Sequence, residues 1–126
     1  MQLTEQRFGN ALLLKLSGRI DRDTADEFKT ALQPHLDNCK GGGHVLLLDF
    51  SDLQYISSLG FQALLLAHRK AKTQNGLFAI AALQPAVKSV FDTANFAGVI
   101  RRYETVEKAL AEMSHSAHAA YMQQGK

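Results

Sequence analysis

The stretch HVLLLDFSDLQYISSLGFQALLLAHRKAK, residues 44–72, decides the fold. Its opening run, HVLLLDF, is almost continuously apolar and is bounded by glycines at 41–43 and by Ser-Asp at 51–52. A strand reads this way when both faces of its sheet are covered, so the run predicts a central strand flanked by crossover helices. Residues 51–57, SDLQYIS, read as a loop, and residues 59–72 change to a helical period. Strand, loop and helix in this order make the repeating unit of a parallel sheet.

Working outward, residues 2–8 alternate, Gly9-Asn10 supplies a turn, and ALLLKLSG at 11–18 reads as a strand. The chain is therefore expected to open with a hairpin. In DRDTADEFKTALQPHLDN, residues 21–38, Ala25, Phe28, Leu32 and Leu36 recur at helical spacing, and Thr24 with Glu27 forms a Thr-x-x-Glu capping box. Pro34 lies inside that pattern, where it removes a backbone donor, and predicts a kink or a tightened turn. Downstream, Asn75-Gly76 introduces a strand at LFAIAAL, residues 77–83. Pro85 opens a third helix with Val87, Val90, Phe91 and Ala94 on its apolar face, and a short strand follows near GVIRRYE, residues 98–104. Thr105 starts a last helix carrying Val106, Ala109, Leu110 and Met113. The expected order is ββαβαβαβα: one α/β domain over residues 1–114, with a mixed, mostly parallel sheet of about five strands and about four helices. Residues 115–126 lose periodicity and read as a disordered C-terminal tail.

A chain of 126 residues with 46% apolar content suits one domain, which buries roughly two thirds of its unfolded surface. Net charge is only +2, without the basic stripe that tracks a phosphate backbone, so direct nucleic-acid binding is not expected. Cys39 is the single cysteine, which excludes an internal disulfide; in its polar surroundings it reads as an unreactive surface thiol. The polar N-terminus does not resemble a signal peptide, and no apolar run approaches the roughly 18 residues that span a bilayer. These features predict a soluble cytoplasmic protein.

The adjacent serines Ser57 and Ser58 are the candidate site. A nucleophile elbow needs Gly-x-Ser-x-Gly, and here Gly60 follows Ser58 but Ile56 stands where the first glycine belongs. No general base or oxyanion arrangement is evident around Ser58 or Asp52, so no catalytic residue is assigned. The glycines at 41–43 lack the lysine and spacing of a phosphate-binding loop, and they precede a strand instead of a helix. His115 and His118 leave a metal shell unfilled, and His35, His44 and His68 form no cluster, so neither metal nor cofactor is expected.

A serine just before a helix ordinarily accepts a hydrogen bond from one of its free amides, which is the plain reading of these two residues. The helix behind them carries apolar residues around most of its axis. Phe61, Leu64, Leu65 and His68 are expected to face the sheet, leaving Leu59, Ala63 and Leu66 for a neighbouring helix or a partner protein. A helix N-terminus also favours negative charge, so a phosphate on Ser58 would sit in a favourable field without unfolding the domain.

The segment LLLDFSDLQYISSLGFQALLLAHRKAK, residues 46–72, resembles the signature of STAS domains, and especially of bacterial anti-sigma factor antagonists. LSGRIDRDTADEFKTAL (16–32) resembles the family's Gly-x-(Leu/Ile)-Asp motif and Thr-Ala helix start, and LQPAVKSVFDTANF (83–96) its Pro-x-Val helix. The resemblance spans residues 5–113. It implies that Ser58 is the phosphoacceptor, with Gly60 permitting the tight helix entry and Tyr55 and Ile56 packing to hold the loop. The family often has aspartate where Ser57 stands, which makes Ser57 a competing acceptor. The implied partner surface comprises Asp21, Asp52, Ser57, Ser58, Leu59, Gly60, Ala63 and Leu66. The implied mechanism is partner switching. The unphosphorylated domain docks on a kinase-type anti-sigma factor, a serine kinase of the histidine-kinase-like ATPase type. Phosphorylation of Ser58 ends docking, and a serine phosphatase restores it. The alternative is a non-phosphorylated STAS subunit of a lipid-transport or sensory complex, with Ser58 only a cap beside a permanent interface.

Overall fold

The computed structural model describes residues 1–41, 44–93 and 100–124. Gly42 and Gly43 of the glycine run, Ala94 of the third helix, and residues 98 and 99 of the expected last strand lie outside the described residues. The elements are β1 (Gln2–Phe8), β2 (Ala11–Ile20), α1 (Ala25–Asp37), β3 (Val45–Ile56), α2 (Ser58–Thr73), β4 (Leu77–Ala81), α3 (Pro85–Thr93), β5 (Arg101–Tyr103), α4 (Val106–Met113) and α5 (His115–Gln124).

The sheet order is β1-β2-β3-β4-β5. β1 and β2 form the expected antiparallel hairpin, with Gly9 at its turn in the left-handed region (φ 57°). The other three pairings are parallel, so β3 is central as its continuous apolar run requires. The chain adds strands in one direction only. The near-universal handedness of parallel crossovers therefore places α1, α2 and α3 on one face. Alternate residues of β3 show the result: Leu46, Leu48 and Phe50 pack with Phe28, Leu32, Leu64 and Phe91, while Val45 and Leu47 pack with Val106, Leu110 and Met113 of α4.

Four expectations need correction. The C-terminal segment is a helix, α5, which makes five helices among the described residues. Ala117 is fully buried, and the Tyr121 ring meets Phe8 edge-on, with centroids 5.4 Å apart. Alanines at 117 and 120 with Tyr121 form a narrow stripe that fits close to the sheet, too weakly apolar to register as a period. Next, residues 51–56 continue β3 and are not a loop. They pair with β2 through Ile20↔Ile56, whereas pairing with β4 stops at Asp49↔Ala81. The Thr24–Glu27 capping box does not form, because the Asp21 carboxylate takes the amides of Asp23 and Thr24 at 3.0 Å each, and the Thr24 hydroxyl turns back to accept from Asp21 N at 2.9 Å. Finally, Cys39 is not a surface thiol: it is 2% exposed, its Sγ bonds the Leu77 carbonyl at 3.4 Å, and burial raises its pKa. Pro34 lies inside α1, which runs on to Asp37.

Candidate functional site

The overrun of β2 and β3 beyond β4 builds a ledge at the C-terminal end of the sheet. Ser57 N donates to Ile20 O at 2.7 Å, closing this ledge where β3 gives way to α2. Ser57 itself is extended (φ −82°, ψ 171°), and its Oγ accepts from Gly60 N at 3.1 Å, which makes it the helix cap. Ser58 is the first residue of the helix and is exposed, with no side-chain hydrogen bond among the described residues. The two serines thus have different jobs, which their adjacency in the sequence could not separate.

Gly60 is required by space. A Cβ there would stand 2.6 Å from Ile20 Cγ2, closer than real contacts come, and a tight 3.0 Å from Ile56 Cγ1. The first turn of α2 therefore lies hard against the ends of β2 and β3, which holds Ser58 and Leu59 in position at the rim. Ile56 is buried, as a residue anchoring this turn must be. Tyr55 departs from expectation. It is 37% exposed, with the Arg19 guanidinium 4.5 Å from its ring centroid. Cross-strand pairing of Arg19 with Tyr55 creates that cation–π contact, and it adds Arg19 to the rim. Only the strand register reveals it.

The remaining residues divide into three positions. Asp52 lies on β3 and pairs with Lys15 of β2 at 3.2 Å, an exposed ion pair that raises the lysine pKa. Asp21 follows β2, and the hydrogen bonds from Thr24 hold its carboxyl below the usual range. Its role in the structure is to organise the entry to α1. Ala63 is buried at the seam where α1 packs on α2, so the neighbouring helix covers it. Leu59 and Leu66 stay open to solvent, at 45% and 50% exposure. Seven residues apart on α2, they share one stripe that begins beside Ser58. Ser58, Leu59 and Leu66 therefore come together as one outward surface, with Asp52, Arg19 and Tyr55 on the strand ledge. His68 lies partly buried with its ring near Phe78 of β4, consistent with its expected orientation toward the sheet.

Comparison with known proteins agrees with this architecture. The STAS domain family profile matches residues 2–109. The chain belongs to the STAS domain family. A relative named as the anti-sigma factor antagonist BtrV, from Bordetella bronchiseptica, is 27% identical over 111 residues, covering 88% of this chain and 93% of BtrV. An anti-sigma factor antagonist from Mycobacterium paratuberculosis has a similar structure, with TM-score 0.78, 20% identity, and coverage of 89% of this chain and 92% of that one. SpoIIAA from Bacillus in its unphosphorylated form gives TM-score 0.70 and 16% identity, with coverage of 88% and 95%. In this STAS domain no helix among the described residues is long and apolar enough to cross a membrane. Nor do the described residues gather three or more His, Cys, Asp or Glu side chains that could hold a metal ion.

Proposed function

We propose that this STAS domain is an anti-sigma factor antagonist that works by partner switching at Ser58. The observation that carries the reading is the division between the two serines. Ser57 is occupied in capping α2, while the Ser58 hydroxyl is exposed at the start of the same helix, beside Leu59. A hydroxyl that supports no structure can be modified without unfolding anything. The name of BtrV, a relative aligned over nearly its whole length, supports the assignment to antagonists.

In the unphosphorylated state the Leu59–Leu66 stripe docks on an anti-sigma factor that is also a serine kinase. The kinase transfers the γ-phosphoryl group of ATP to Ser58: the Oγ–P bond forms as the β–γ phosphoanhydride bond breaks, ADP leaves, and the hydroxyl proton passes to a base of the kinase. The product carries roughly −1.5 to −2 charge at the edge of an apolar stripe, where desolvation opposes renewed docking. The dipole of α2 and its free amides stabilise the same charge, so the fold survives the switch. A serine phosphatase reverses the step by hydrolysis.

The test is capture from a cell extract on immobilised Ser58→Ala domain, then incubation of the wild-type domain with the captured protein and ATP. An ATP-binding partner is expected to be retained, and phosphopeptide mapping should place one phosphate on Ser58. Phosphate on Ser57, or full partner binding by Ser58→Asp, would overturn the switch and leave a constitutive interface.

A further inference from the structure

At the far end of α2 from Ser58, that helix frames with β4 and β5 an open pocket of about 320 Å³. Its rim carries His68, Lys72 and Arg101, its floor is apolar through Leu77, Phe78 and Met113, and no carboxylate lines it among the described residues. Four of the described lysines and arginines are paired with carboxylates, and the rest, Lys72 and Arg101 among them, are not. Lys15, Lys70, Arg102 and Lys108 each meet a carboxylate at 2.6 to 3.2 Å. Lys72 and Arg101 have no ion pair among the described residues, although the fold brings them to one hollow from a helix and from a strand.

Cations gathered without counter-charge repel, and a bound anion offsets that repulsion. His68 and Lys72 are four residues apart on α2 and so lie one above the other on the same face. Burial, and then the charges of Lys72 and Arg69, hold the His68 pKa below its ordinary value. Its Nδ1 is buried with no hydrogen-bond partner among the described residues.

We propose that this pocket binds a small phosphomonoester, with the phosphate between Lys72 and Arg101 and the apolar part on Phe78 and Met113. Arginine offers a planar fork for two phosphate oxygens and lysine a compact charge, a pairing suited to a dianion. The floor of the pocket supplies the contact that distinguishes an organic phosphate from a bare one. Residue 72 is fourteen positions along α2 from residue 58, about 21 Å at the rise of an α-helix, so this site is separate from the switch.

The experiment is an amide NMR titration of the full chain at neutral pH with phenyl phosphate, inorganic phosphate and, at matched ionic strength, sodium chloride. Saturable shifts are expected at Lys72, Leu77, Phe78 and Arg101, with phenyl phosphate binding tighter than phosphate. Lys72→Gln and Arg101→Gln should each weaken binding about tenfold, the worth of one charge-assisted contact. A bound dianion should also raise the His68 pKa, since it offsets the charges of Lys72 and Arg69 on α2; that readout needs no variant. Shifts that chloride reproduces, that fail to saturate, or that leave His68 titration unchanged would overturn the proposal.

Discussion

The Ser57 side chain accepts the Gly60 amide proton at 3.1 Å, and this one bond separates two neighbouring serines into a structural residue and a free one. Removing a cap of this kind typically costs about 1 kcal/mol. Ser57→Ala should therefore lower the melting temperature by about 3–5 °C for a domain of this size. Ser58→Ala should change it by less than about 2 °C, because an exposed hydroxyl without a partner contributes within about 0.5 kcal/mol. Thermal unfolding followed by circular dichroism distinguishes the two. Equal losses would mean that both serines are structural.

Gly60 sets up an opposition between two effects. Alanine in a helix is favoured over glycine by about 1 kcal/mol, which by itself predicts stabilisation. The added Cβ would meet Ile20 Cγ2 at 2.6 Å, and overpacking of that order costs about 1–3 kcal/mol. The clash should win because Ile20 and Ile56 are themselves buried and have little room to yield. Urea denaturation of Gly60→Ala should show a lower midpoint with an unchanged slope. Displacement of the first turn should also weaken capture of the partner.

Asp21 makes the acid sensitivity of this end of the sheet predictable. Its folded pKa lies below the ordinary 3.8, chiefly through the hydrogen bonds from Thr24. A depressed carboxyl contributes stability that is present above its unfolded pKa and lost as pH falls through the folded value. Asp21→Asn keeps the turn geometry but removes the ionisation. The variant should melt lower than wild type at pH 7, and the gap should close as pH falls below about 4, the range in which free carboxylates titrate. A gap that stays constant with pH would mean that the carboxylate charge contributes nothing here.

How legible these features were depends on the length scale of the physics behind them. β3 was readable because a doubly covered strand needs an unbroken apolar run, and VLLLDF provides one. Its extension through Ile56 was not, since Asp52, Gln54 and Tyr55 are exposed and only the parallel pairing with β2, irregular between Lys15 and Ser17 and between Gly18 and Arg19, shows that this stretch has a neighbour. Helix caps fell between these cases. Thr24 and Ser57 stand where caps belong, yet a competing carboxylate three residues away took the first and not the second. The candidate surface followed the same rule: the stripe of Leu59 and Leu66 was visible as a period, but that Ala63 belongs to the α1 seam required the packing of two helices.

The C-terminal helix gives the sharpest test of a feature that periodicity missed. α5 has little apolar character, so its position depends on a few contacts, among them buried Ala117, Tyr121 edge-on to Phe8, and the hydrogen bond from Ser116 Oγ to Asn10 Oδ1. An edge-to-face aromatic pair contributes about 0.5–1.5 kcal/mol beyond the area it buries, and truncating a large, partly buried ring adds a transfer cost. Tyr121→Ala should thus destabilise the domain by about 1–3 kcal/mol, while Met122→Ala, one position along and 45% exposed, should change stability by less than about 0.5 kcal/mol. Tyr121→Phe preserves the ring and should restore most of the loss. Urea unfolding of the three variants decides the matter, because a loose tail would make all of them silent. Since Phe8 also closes the β1–β2 hairpin, opposite Ala11 in the register, the Tyr121→Ala loss should appear as faster amide exchange at β1, with β4 unaffected.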